Sequence, residues 1–177
     1  MKNYGEVKNL PFKELRGISQ KTIEIHWGKL YQGYVKKWQE IQEKLKAGAS
    51  RDLKVEESFL ADAVILHEAY FDILGGDGKP QGKVSETMNI EEFKALGLVS
   101  RGWVILAYDF NDGKLRNYIA DSHNSYGIWG AAPIIVLDMY EHAYFIDFGS
   151  DKKAYIEAFF QNLNWGAIDR KFQKVVK

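Results

Sequence analysis

The chain has 177 residues, 46% hydrophobic and 14% aromatic, enough for the core of one domain or of two small layers that share one. Lys plus Arg and Asp plus Glu both number 24, so no long-range field draws nucleic acid or an anionic membrane to it. Cysteine is absent, which excludes disulfides, thiolate catalysis and cysteine-ligated zinc or iron–sulfur sites, and which fits an intracellular protein.

Residues 1–17 lack the apolar centre of a signal peptide, contain Pro11 and read as an extended arm. No apolar run approaches the ~20 residues needed to span a bilayer, so the expected location is the cytoplasm. Ser19 is placed to cap a helix whose apolar positions Ile23, His26, Leu30 and Tyr34 share one face at α-helical spacing. Side chains lean toward a helix N-terminus, so Tyr34 points back toward whatever His26 holds. The helix continues or kinks through a charged, solvated stretch and ends at Gly48-Ala49-Ser50. A second helix is predicted over roughly 56–74, with Phe59, Ala63, Leu66, His67 and Tyr70 at helical spacing. A single histidine on such a face is ordinarily a hydrogen-bonded core residue, so His67 alone carries little.

Gly75 to Gly82 is an emphatic break. Three glycines in four residues suggest a phosphate cradle, but no strand precedes them, no helix is expected to open from them and no Gly-Lys-Ser/Thr follows. The segment reads as a connector between a domain of residues 1–80 and one of residues 81–177. Residues 85–98 read as one or two short helices and 102–108 as a strand. Asn111-Asp112-Gly113-Lys114 is a hairpin turn, and the return strand 115–120 delivers His123 just beyond its end. A loop, 124–132, leads to a third strand, 133–137. The tail, 152–176, is a helix or two with Tyr155, Phe159, Phe160, Leu163 and Trp165 as core. The fold class is α+β: an N-terminal α-helical hairpin, then a C-terminal domain with a three-stranded antiparallel sheet and helices.

The third strand runs straight into Asp138 and a turn presenting His142, which aims two ligand-type side chains at one point from a stiff support. An Asp-x-x-x-His pair is common by itself. The chain has only four histidines, however, and one from each helix added to this pair gives three imidazoles and one carboxylate. That donor set suits iron, manganese or zinc. Around a trivalent ion it stays net positive even with hydroxide bound, which favours small anions.

Leu10-Pro11-Phe12, the stretch from Ile18-Ser19 through His26 to Tyr34-Val35, and His67 ahead of Leu74-Gly75-Gly76-Asp77-Gly78-Lys79-Pro80-Gln81-Gly82 are followed by Gly102-Trp103, by Asp138-Met139-Tyr140-Glu141-His142-Ala143-Tyr144 and by Asn164-Trp165. Taken together, these segments resemble the iron/manganese superoxide dismutase family over nearly the whole chain. The resemblance implies conversion of superoxide to dioxygen and hydrogen peroxide by one-electron cycling of one iron or manganese ion per chain, the choice of metal being open. It implies that His26, His67, Asp138 and His142 are the ligands, between the two domains, with solvent as a fifth. Tyr34 matches the tyrosine that closes the substrate funnel and passes protons. Lys29 matches a lysine near the funnel, and Lys152 falls where an arginine is usual. Glu141 matches a residue that reaches across a homodimer to the partner's equivalent of His142, a homotetramer being the alternative assembly.

The departures carry information. The glutamine that family members use to hold the metal-bound solvent is replaced by Ala63 at its helix position and by His123 at its strand position, so His123 is assigned that outer role. Its imidazole is able either to donate to hydroxide or to accept from water. Leu30 replaces a histidine, and Phe145 replaces the tyrosine that meets it from the other subunit. Replacing both partners of a hydrogen bond by apolar groups is nearly neutral, whereas losing one strands the other. An intact interface with an altered proton route, and slower turnover, is the expected result. Tyr31 stands for another histidine, and Tyr140 and Ile105 for tryptophans, which thins the aromatic wall that Trp103 retains. The rival readings are a weakly active or non-catalytic metal-binding homologue, a three-ligand non-haem iron oxygenase, and a purely structural module.

Overall fold

The computed structural model describes residues 3–125 and 127–177; Met1 and Lys2 of the expected arm and Tyr126 of the expected loop lie outside the described residues. Ser19 caps the first helix as its sequence suggests, its hydroxyl accepting from the Thr22 amide. Asp147 Oδ2 accepts from the Ser19 amide at 2.8 Å and from the Thr22 hydroxyl at 2.7 Å, which ties this helix start to the far end of the chain. After α1 (Gln20–Ile23) the chain departs from expectation. Glu24–Tyr31 is a π-helical segment, and α-helical geometry resumes only in α2 (Gln32–Lys46). The Gln32 amide reaches back five residues to the Trp27 carbonyl. The wider turn breaks the shared face assumed for His26, Leu30 and Tyr34, because each π-turn takes up an additional residue. Tyr31, not Leu30, is the residue turned fully inward, at 1% exposure.

The second arm, α3 (Arg51–Phe71), starts earlier than the sequence pattern suggests, because Ser50 opens it: its hydroxyl accepts from the Leu53 amide. The glycine break is anchored, not loose. The Gly76 amide donates to Asn162 O at 2.9 Å and the Gly78 amide to Leu163 O at 3.1 Å. A Cβ on Gly76 would meet the Leu163 carbonyl oxygen at 2.3 Å, so only glycine permits this approach. Contrary to expectation a helix does open out of the break, α4 (Gly82–Thr87), followed by α5 (Ile90–Val99).

β1 (Trp103–Asp109), β2 (Lys114–Ala120) and β3 (Ala131–Asp138) form one antiparallel sheet in the order β2-β1-β3. Gly113, at φ 71°, supplies the left-handed residue of the expected hairpin turn. The register places Trp103 opposite Ala120 on one side and opposite Asp138 on the other. Every residue of β3 from Ile134 to Asp138 is buried, which explains the unbroken apolar run: α3 packs over this strand. A 3₁₀ turn (Glu141–Ala143), α6 (Phe145–Phe148), α7 (Lys152–Gln161) and α8 (Trp165–Val175) complete the chain. Tyr70, Phe93, Trp103, Tyr155, Phe159 and Trp165 are the large side chains that join helices and sheet in one core. Each such burial stabilises the fold by about 1.5–3 kcal/mol. Phe160 sits at the margin of this core, partly buried. Among the described residues no helix is long and apolar enough to cross a membrane.

Candidate metal centre

Four elements each bring one donor to the same place. His26 comes from the π-helical segment, His67 from the last turns of α3, Asp138 from the end of β3, and His142 from the 3₁₀ turn four residues on. Their donor atoms all lie within 4.8 Å of one another. The three Nε2 atoms surround one oxygen: Asp138 Oδ2 is 3.0 Å from His26, 3.1 Å from His142 and 3.8 Å from His67. His26, His67 and Asp138 are fully buried, while the His142 side chain keeps an exposed edge.

The surroundings fix each donor. Asp138 Oδ1 accepts from the Tyr140 amide at 2.9 Å, and the Asp138 carbonyl accepts from the Tyr155 hydroxyl at 2.8 Å, so Oδ2 alone is left for the site. His67 Nδ1 lies 2.7 Å from the Ala63 carbonyl, which only accepts; Nδ1 therefore carries the proton and Nε2 presents a lone pair. The helix position that lacks a glutamine thus contributes its backbone oxygen to ligand orientation.

Burial lowers the proton affinity of His26, and lowers that of His67 still more, with the neighbouring His26 adding to the effect. Burial opposes ionisation of Asp138, but His142 and His26 beside it hold the carboxyl well below its usual range. The imidazoles of His26, His67 and His142 and the Asp138 carboxylate face inward together. Neither His26 Nε2 nor His67 Nε2 has a well-directed hydrogen-bond partner, although both are buried. Crowded lone pairs without donors repel, and unsatisfied buried nitrogens are costly. A cation among them removes both penalties. Separations near 3 Å are those of neighbouring donors that each lie ~2.1 Å from one ion. The residues fit a single iron, manganese or zinc ion.

His123, placed just after β2, is 5% exposed and packs against His67, Tyr34 and Tyr140. Trp103 Nε1–H donates to its Nδ1 at 3.0 Å. Burial pushes the imidazole down to about 4, so it is neutral near pH 7. With Nδ1 occupied as an acceptor, its one proton sits on Nε2. Sequence reasoning singled out both residues and left the tautomer open; the register that sets Trp103 beside the strand end closes it.

Tyr34 stands over this group, its ring 5.2 Å from His67 and 5.0 Å from His123. Burial, with the Asp138 charge adding, raises its hydroxyl above the usual value. Tyr140 stacks on His142 and is pushed up to about 12, again chiefly by burial. Lys29 lies exposed on the π-helical segment. Lys152 and Arg101 border a surface cleft on the open side of His142, with Glu141 beside them; the Lys152 ammonium donates to the Ser100 carbonyl at 2.6 Å. Leu30 is half-buried, and Phe145 is 55% exposed at the start of α6. Sequence reasoning missed Glu68, a buried carboxylate directly after His67, because a glutamate in a helix reads as solvated until its partners are seen.

Residues 82–171 match the family model described as iron/manganese superoxide dismutases, C-terminal domain. The superoxide dismutase [Fe] of Aquifex aeolicus is 41% identical, covering 93% of this chain and 89% of that protein. The superoxide dismutase [Fe] of Cupriavidus metallidurans is 34% identical, covering 93% of each. The superoxide dismutase [Mn] 1 of Halobacterium salinarum is 29% identical, covering 90% of this chain and 89% of that one.

Proposed function

The chain belongs to the iron/manganese superoxide dismutase family, and on that premise we propose how its own side chains serve the conversion of superoxide to dioxygen and hydrogen peroxide. The observation that carries the assignment is the convergence of His26, His67 and His142 Nε2 on Asp138 Oδ2 in a buried pocket. These four residues hold one iron or manganese ion. That ion, when bound, supplies the one-electron oxidation of one superoxide and the one-electron reduction of the next.

The remaining side chains handle charge and protons. His123 keeps its proton on Nε2 because Trp103 occupies Nδ1, and so it acts as a donor toward the site, not an acceptor. A donor there stabilises negative charge beside the ion and thereby tunes its potential. The Tyr34 hydroxyl holds its proton across neutral pH, since its affinity is raised, and supplies it when peroxide forms. Lys29 and Lys152 are the cations offered to a small anion on its approach, while Arg101, beside Lys152, is paired with Asp121 at 2.7 Å. Trp103 and Tyr140 wall the site against bulk water.

A homodimer is the assembly we favour. Phe145 and Ile146 are exposed on α6, next to Glu141 and the open edge of His142, which is where a second copy brings its Glu141 to this histidine. Residues 1–80 and 81–177 then act as two units closing on the ion. A chain without cysteine suits a reducing compartment, and we place it in the cytoplasm.

The test is metal content and dismutation measured on one sample after separate reconstitution with iron and with manganese. About one ion per chain with activity under either metal establishes the site and selects the cofactor. Full occupancy without activity under both would support the non-catalytic homologue instead.

A further inference from the structure

Lys8, in the N-terminal arm, is gripped at three of its atoms. Its amide donates to the Tyr31 hydroxyl at 3.0 Å, and its carbonyl accepts from Trp27 Nε1 at 3.2 Å. Its ammonium pairs with Glu68 Oε2 at 2.7 Å, with Asp72 Oδ2 farther out at 3.8 Å. The Tyr31 hydroxyl in turn donates to Glu68 Oε1 at 3.1 Å. Glu68 is 3% exposed, follows His67 directly, and has no part in the chemistry above.

This cluster lies behind two of the metal-binding histidines. The Tyr31 ring lies 6.5 Å from the His67 ring and within 28° of parallel to it, and meets Phe71 edge-on at 6.4 Å. Phe71 in turn packs against the His26 ring at 4.9 Å. The wide π-turn is what brings Tyr31 inward to this place. A buried carboxylate holds its position only while it is paired; remove the cation and either the charge or the helix must move. Lys8 and the more distant Asp72 have half-exposed side chains, whereas Glu68 is buried, and Lys8 is the member carried by the arm.

We propose that Lys8 is a latch: by fixing Glu68 and Tyr31 behind His67, the arm sets how slowly the metal ion leaves the centre. Lys8, Glu68 and Tyr31 are positioning residues, since none of them reaches the donors. The inference rests on His67 being a ligand.

The experiment loads the full chain with manganese and follows its release to excess chelator. Lys8→Met should release the ion about ten-fold faster, at the lower end of what losing an outer support costs a metal site. Lys8→Arg should stay near the wild-type rate, and Glu68→Gln should release faster. Added salt should speed release from the wild type but not from Lys8→Met, because the half-exposed pair is screened. Release from Lys8→Met at the wild-type rate would overturn the latch. So would a Lys8→Met protein whose metal-free melting temperature falls while its release rate does not change. If His67→Ala holds as much manganese as the wild type, the ligand assignment has failed instead, an outcome read from stoichiometry before any rate.

Discussion

The Trp103 indole donates to His123 Nδ1 at 3.0 Å, and this bond determines which nitrogen of the imidazole carries its proton. An indole N–H only donates. The arrangement follows from strand register: Trp103 opens β1 opposite the last residues of β2 and β3, and its ring packs against His123, three positions past β2, and against His67.

Trp103→Phe should therefore change the redox behaviour while leaving the ligands in place. Without the indole, both tautomers of His123 become accessible, and the site loses a guaranteed donor. The expected result is a metal content near one ion per chain, a shifted midpoint potential and activity lower by about 10–100-fold, the usual effect of removing an outer partner. An unchanged potential would mean that the tautomer does not matter. His123→Ala should behave alike, keeping metal and losing activity.

Much of this centre was legible in the sequence. Four histidines in 177 residues leave few ways to build a site, and Asp138 and His142 follow an apolar run that reads as a buried strand. The hairpin turn at Gly113 is written in its residue types. The π-helical segment was not legible, because Ile23, His26, Leu30 and Tyr34 satisfy an α-helical period equally well and only packing of Tyr31 selects the wider turn. Glu68 was hidden for a related reason: Lys8 and Tyr31, which neutralise and cap it, lie 60 and 37 positions away.

Acid should destabilise the metal-free protein well before its carboxylates titrate. An unfolded histidine ionises near pH 6.5. Folded His123 is held down to about 4, and His26 and His67 shift the same way, all mainly by burial. Between those values the unfolded chain binds protons that the folded chain refuses. Their contribution to stability is complete above about pH 6.5 and is lost as the pH falls toward 4. Asp138, also depressed, adds a further loss at still lower pH. Melting temperatures of the metal-free protein should thus fall from pH 7 to pH 4.5, less steeply for His123→Phe. A flat profile would contradict the burial of neutral imidazoles.

Tyr34→Phe should retain the ion and lose a proton donor. The raised affinity of the Tyr34 hydroxyl means that its ionisation falls above its ordinary value near 10. Wild-type activity should decline only in strongly alkaline solution. The phenylalanine variant should be several-fold slower near neutrality and should not show that alkaline decline. An identical alkaline decline in both proteins would assign it to another group.

Leu30 and Phe145 should behave as a pair across the proposed dimer. Leu30 is half-buried on the π-helical segment and Phe145 is 55% exposed on α6, so each presents apolar surface that the proposed dimer would cover. Leu30→His alone should bury an imidazole against Phe145 of the second copy with no partner for its nitrogen, at a cost of ~1–3 kcal/mol in dimer stability. Phe145→Tyr alone strands a hydroxyl in the same way. Together they supply donor and acceptor to each other, so the double variant should dimerise better than the sum of the single effects allows, by ~0.5–3 kcal/mol in the mutant cycle. Sedimentation equilibrium on all four proteins measures that coupling. Strict additivity would place the two residues apart, and with it remove the interface as the reason that both positions are apolar. If they couple, the double variant should also turn over faster than the wild type, because the restored hydrogen bond extends a proton path from the subunit boundary toward Tyr34.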